Sequence, residues 1–341
     1  MERSQKSPAE KELNSYKMRR YAYMGAYGLV LAIGAGNLAQ DTYDILREDQ
    51  STTVEALPSF EDERNFPNTA WIMVPGYNMA WRDSREAAEA LKPELEKTGQ
   101  VHWIGYSNEG FDIDEIKTKT LEHLRKNDLE NVSLYGYSFG GMVSVELATY
   151  LAEHDVNVKE IVLDSSPHSL EDVRKEQVAV RFMAVGAVGS FARAAAGVAT
   201  EEGVLQDYLR SNDTEHASAR LLQDSSKYIV NFDLSEFASK LPEQTRLTYI
   251  GSDNDDRIET STAYDGWKDE FSGRAFLYRD STPAGHASPR GDTEIYIDAL
   301  RPITNRLVYD LCRSDEPGNT RYIEELCTVE VTPDPALDRA V

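Results

Sequence analysis

From Ala70 to Pro167 the chain repeats a pattern that few folds can satisfy: a short apolar run, a turn, then a longer segment rich in helix formers. "AWIMVP" stops at Pro75-Gly76 and is followed by "RDSREAAEALKPELEKTG". "QVHWIGYS" leads to "DIDEIKTKTLEHLRKND", "ENVSLYGYS" runs straight into "GGMVSVELATYLAEH", and "VKEIVLDSSP" closes the block. Short continuous apolar runs predict strands buried on both faces. Their alternation with helices across short loops predicts an α/β fold, a mostly parallel sheet flanked by helices. The pattern breaks over 168–241, which reads as helical, and resumes with "TRLTYIGSD", "RAFLYRD" and a last helix, "TEIYIDALRPITNRLVYDLC". The expected organisation is a core of 67–167 and 242–312 interrupted by a helical cap at 168–241. A cap over one sheet edge would exclude water from a site beneath it.

The flanks read differently. Residues 1–20 form a basic segment, and 21–40 carry no charge between Arg19-Arg20 and Asp41. A helix of that length spans about 30 Å, the thickness of a bilayer core. Residues 21–40 are therefore expected to be a transmembrane signal-anchor, with a cleaved signal peptide or a buried soluble helix as alternatives. The basic side stays in the cytoplasm, so the expected placement is membrane-anchored with the bulk of the chain outside, or secreted. Residues 41–66 read as an acidic linker with a short strand at "TTVEAL", and 313–341 as a C-terminal extension. Cys312 and Cys327 lack a CxxC spacing; a disulfide closing a short loop and two unpaired thiols both fit.

The net charge of −23 argues against nucleic acid as a partner, because phosphate binding needs clustered Lys and Arg. No G-x-G-x-x-G, Walker loop or metal-ligand cluster is present, so neither cofactor nor metal is expected.

Chemistry concentrates in "NVSLYGYSFGGMVSVELATYL", where Ser138 sits in G-Y-S-F-G between an apolar strand and a helix. A serine hydroxyl is a weak nucleophile until a base takes its proton. A tight strand-to-helix turn lifts the side chain clear of the sheet and crowds the residues two before and two after it, which explains Gly136 and Gly140. Ser138 is the candidate nucleophile.

"LYGYSFGG", with "VPGYN" upstream, resembles the α/β-hydrolase fold, and the strand and helix order matches from about residue 67 to 312. The resemblance implies a triad in the chain order Ser, acid, His, each near the C-terminal end of a strand. On that pattern the base is His286, in "RDSTPAGHASP", where Ala284, Gly285, Ala287 and Ser288 leave room for an imidazole. His123, His154 and His216 sit beside glutamates on helical segments and read as solvated; His102 lies in a strand upstream of the serine, and His168 reads as pocket-lining. The acid belongs in "GSDNDDRI". The family's G-x-x-D-x-x-V spacing would fall on Asn254, whereas aligning on Ile258 selects Asp255. Asp253 and Asp256 stay open, with Asp164 at the end of "IVLD" a more distant alternative. The oxyanion hole is expected from the N–H groups of Phe139 and of Tyr77, with Asn78 a second option; Pro75 stands where relatives commonly carry His before the glycine.

The resulting expectation is a carboxylesterase- or lipase-like serine hydrolase that cleaves a small-molecule or lipid ester through an acyl-enzyme on Ser138. Acyl transfer, thioester cleavage and peptidase action use the same triad. A non-catalytic binding protein on this scaffold is the alternative from another class.

Overall fold

Alternation sorts the side chains of the central strands onto two faces, as a pleated strand requires. In a computed structural model that describes residues 51–58, 68–77, 79, 81–174, 219–274, 276–281 and 284–313, strand β2 spans Thr69–Val74. Its Ala70, Ile72 and Val74 enter one hydrophobic cluster, while Trp71 and Met73 enter the other. Strand β4 (Asn131–Tyr137) divides likewise, Val132 and Leu134 against Tyr135 and Tyr137. Burial on both sides is why these strands read as continuous apolar runs.

The remaining strands are β1 (Thr53–Ala56), β3 (Gln100–Gly105), β5 (Asn157–Asp164), β6 (Arg246–Gly251) and β7 (Phe276–Asp280). The sheet runs β1-β3-β2-β4-β5-β6-β7, and only the edge strand β1 is antiparallel to its neighbour. Helices α2 (Ile113–Lys126) and α3 (Phe139–Glu153) cover the first face, and α1 (Trp81–Leu95) covers the second. A long C-terminal helix, Thr293–Arg313, joins α1 there through Tyr296, Leu300 and Ile303. The mostly parallel sheet flanked by helices is thus as the alternation predicts.

Between β5 and β6 the described residues hold a 3-10 turn (Leu170–Asp172), helix α4 (Ala219–Asn231) and a short helix α5 (Ser235–Ala238). Leu221, Leu222 and Ile229 of α4 join the first-face core. Tyr228 Oη donates to Glu146 Oε2 at 2.6 Å, and Lys117 Nζ meets Glu146 Oε1 at 2.5 Å, so α4 is tied to α2 and α3. Residues 175–218 of the expected cap lie outside the described residues.

Helix α6 (Thr260–Glu270), between β6 and β7, is not legible in the sequence. Its threonines and Gly266 are weak helix formers, and the burial of Ala263 and Trp267 against the first face overrides that preference. With α6 placed, the C-terminal helix is α7.

The membrane expectation needs correction. No helix among the described residues is long and apolar enough to cross a membrane. Residues 21–40, expected as a transmembrane or signal-anchor helix, lie outside the described residues. Freedom from charge does not make a span: four glycines and three tyrosines dilute the apolar content of that segment. Membrane association through 21–40, and the membrane-anchored, outward placement that depended on it, are therefore unsupported. Cys312 falls in the last turn of α7 and Cys327 outside the described residues, as does 314–341.

Candidate active site

The turn from β4 into α3 holds Ser138 at φ 54° and ψ −126°. A non-glycine residue in this region is strained by roughly 1–3 kcal/mol and persists only where its surroundings over-determine it. Those surroundings are explicit. A Cβ on Gly136 would lie 2.4 Å from the Gly140 carbonyl oxygen, and one on Gly140 would lie 2.1 Å from that of Val74. Only glycine fits either place, so β2, β4 and α3 close tightly around the serine. Ser138 N–H donates to the Asp164 carbonyl at 2.7 Å, pinning the turn to the end of β5.

His286 lies in the loop between β7 and α7. Its Nε2 is 2.8 Å from Ser138 Oγ, and its Nδ1 is 3.0 and 2.9 Å from Asp255 Oδ1 and Oδ2. A carboxylate only accepts, so Nδ1 carries the proton and Nε2 is left to accept from the serine hydroxyl. The imidazole is 5% exposed and the Asp255 side chain fully enclosed, which keeps both bonds out of competition with water.

Of the aspartates in the β6–α6 loop, Asp255 is the one brought to His286, while Asp253 and Asp256 are exposed. The reason is a local turn. Asp255 Oδ1 accepts from the N–H groups of Arg257 at 2.8 Å and Ile258 at 2.9 Å, which aims the carboxylate inward. Burial pushes its pKa upward, but the His286 hydrogen bond and charge and the two N–H groups outweigh it, leaving the group below its ordinary value. Asp164 does not reach the imidazole; its carboxyl accepts from Tyr135 Oη at 2.9 Å.

Three supporting side chains escaped the sequence reading. Ser252 Oγ donates to the Ala284 carbonyl, tying the acid loop to the histidine loop. Arg174, at the root of the insertion, donates from Nε to the Asp255 carbonyl at 3.0 Å and from Nη1 to Glu259 Oε1 at 2.9 Å. Its own N–H donates to Arg257 O at 2.9 Å, Glu259 N–H donates to Asp172 O at 2.8 Å, and Val173 bridges Ile258. Tyr106 Oη donates to the Pro75 carbonyl at 2.8 Å and anchors the loop after β2. None carries a local motif, because each acts across a long sequence separation.

That loop passes beside Ser138: a Cβ on Gly76 would be 3.4 Å from Ser138 Cβ. Tyr77 and Phe139 both line the pocket at Ser138. Phe139 is the first residue of α3, where N–H groups lack intrahelical partners and the helix dipole favours negative charge. Tyr77 Oη lies 3.0 Å from Ser226 Oγ, connecting this loop to α4. Asn78 lies outside the described residues.

The histidines read as bystanders behave unevenly. His123, expected to be solvated, stands with Nε2 2.9 Å from Nδ1 of the buried His102. Burial, with the neighbouring His123, lowers the His102 pKa to about 3, so that ring is neutral. His168 turns to Asp172, 2.5 Å from Nδ1, and it is Pro167 and Val173 that line the pocket.

The pocket has a volume of about 100 Å³, and its described walls are mostly apolar: Met79, Phe139, Val173, Ile229 and Ile258 surround Ser138 and His286. One further wall residue, Arg257, is charged.

No protein-family model matches the sequence, and no curated protein does. Solved structures do match the fold. A carboxylesterase of the ammonia-oxidizing thaumarchaeon Nitrososphaera gargenis superposes with a TM-score of 0.50 at 12% identity, over 77% of this chain and 98% of its own. A thermostable carboxyl esterase from Bacillus coagulans gives 0.51 at 13%, over 75% and 98%. An esterase from Exiguobacterium antarcticum gives 0.50 at 16%, over 74% and 95%. Identities this low speak to architecture alone, and with the sheet order and the strand-to-helix turn at Ser138 they establish that the chain has the α/β-hydrolase fold.

Proposed function

We propose that this chain is a serine hydrolase that cleaves carboxylic esters through an acyl-enzyme on Ser138. The observation that carries the reading is the continuous hydrogen-bond line from Asp255 through His286 to Ser138 Oγ, assembled from three separate loops. Ser138 Oγ attacks the ester carbonyl while its proton passes to His286 Nε2. Asp255, ionised and facing Nδ1–H, stabilises the imidazolium that forms. The carbonyl oxygen becomes an oxyanion at the N-terminus of α3, where the Phe139 N–H and the Tyr77 N–H are assigned as its donors; losing one such donor typically costs ~3 kcal/mol. Collapse breaks the acyl–oxygen bond, and His286 delivers its proton to the departing alcohol. A water then gives its proton to His286 and its oxygen to the acyl carbon, releasing the acid and restoring Ser138–OH. The mostly apolar walls beside Ser138 suit an apolar part of an ester substrate.

Labelling with a fluorophosphonate tests the reading. The parent is expected to become labelled, Ser138→Ala to stay unlabelled, and p-nitrophenyl acetate turnover to fall at least about 10³-fold in that variant. A folded parent that neither labels nor hydrolyses any of a panel of short esters and thioesters would sink it.

A further inference from the structure

We infer that Arg257 makes the pocket selective for esters whose acyl chain ends in a carboxylate, that is, monoesters of short dicarboxylic acids. The inference rests on the hydrolase reading above and names its substrate class.

Among the described walls of the pocket Arg257 is the only permanently charged residue, in a chain whose net charge is −23. An arginine lining a mostly apolar pocket brings a charge that packing of its aliphatic stem does not call for. Its backbone is held from both sides: the N–H donates to Asp255 Oδ1 at 2.8 Å, and the carbonyl accepts from Arg174 N–H at 2.9 Å. The residue therefore leaves the wall at a fixed point two residues from the triad acid. Its side chain is 42% exposed, and its nearest described carboxylate, Asp256 Oδ1, is 3.8 Å from Nε on a side chain 73% exposed. A contact that long and that wet holds a guanidinium weakly. The planar fork keeps donors for a better partner, and a substrate carboxylate can take two of them side by side.

Three carboxylates nearby oppose the inference, and each is weaker than it looks. Asp253 and Asp256 are exposed, so solvent and salt screen their repulsion of an anion. Asp255 is turned away from the pocket toward His286 and the N–H groups of its own loop. Arg257 and Ser138 line the same pocket of about 100 Å³, so a short chain between ester and carboxylate is the one to test.

The test compares monoethyl glutarate with ethyl pentanoate, of equal chain length and differing in the terminal carboxylate, by pH-stat with the full chain. The readout is the ratio of their kcat/KM values, which cancels general damage to the catalytic apparatus. Arg257→Gln is expected to lower the glutarate-to-pentanoate ratio roughly 10- to 50-fold, and Arg257→Glu further, with Arg257→Lys between Gln and the parent. A parent that leaves monoethyl glutarate uncleaved overturns the inference. So does a ratio that stays within about twofold in both the Gln and Glu variants. Cleavage of ethyl pentanoate in either case leaves the hydrolase reading standing; loss of both esters together with absent phosphonate labelling removes that reading as well.

Discussion

Asp164 ends β5 and Asp255 lies in the loop after the neighbouring strand β6, both with side chains shut off from solvent, and their pKa values shift in opposite directions. Burial drives Asp164 up to about 8; the Tyr135 hydroxyl offsets part of this and the negative Asp255 adds to it. At neutral pH it is a protonated acid. Asp255 meets the same burial but gains an imidazole and two backbone N–H groups, and falls below the ordinary carboxylate range. Burial alone does not choose a catalytic acid. The number of donors that the surrounding loop turns toward the carboxylate does.

The comparison breaks first on activity. Asp255→Asn is expected to reduce kcat for a short ester about 10³- to 10⁴-fold, because the imidazole loses both its tautomeric lock and its counter-charge. Asp164→Asn replaces a neutral group by a neutral near-isostere and should stay within about fivefold of the parent. A reversed order would make Asp164 the working acid.

Next in size is Arg174, which grips the acid turn without touching the imidazole. Arg174→Ala should lower kcat roughly 5- to 30-fold with little change in KM, and Arg174→Lys should recover part of it. In an Asp255→Asn background the same substitution should change little, since nothing remains for it to position. Full additivity in that double-mutant cycle would reduce Arg174 to a scaffold residue.

The smallest effects are in stability against pH, and they carry opposite signs. Asp255 has a depressed folded pKa, so it contributes stability above the ordinary carboxylate range that is lost as pH falls through its folded value. Asp255→Asn should remove that acid-side loss. Asp164 has a raised pKa, so the unfolded chain releases its proton first and stability falls as pH rises from 3.8 to about 8. The Tm of Asp164→Asn should therefore gain on the parent as pH rises across that window. Thermal melts at pH 4, 6 and 8 read both trends.

How much was legible differs by residue. Ser138 could be read locally, because a strand, a crowded turn and a helix are contiguous in sequence and the crowding demands glycine at 136 and 140. His286 could be named from its place after the last strand once the fold was suspected. Asp255 could be preferred over Asp253 and Asp256 only through its spacing to Ile258, whose N–H proves to be one of the donors that orient it. Charge-free length misled at 21–40, since helix length and lipid preference are separate properties.

The sequence by itself determined the sheet, because burial on both faces forces apolar runs that alternate with amphipathic helices, and it determined the tight strand-to-helix turn at Ser138. Tertiary structure alone decided which carboxylate faces the histidine, that Arg174 and Tyr106 brace the loops around the serine, and that Arg257 reaches the pocket wall. It also decided α6, whose weak local preference is overruled by the burial of Trp267. Local patterns report what neighbouring residues must do for one another. The orientation of a loop side chain depends on partners from distant strands, which no local pattern records.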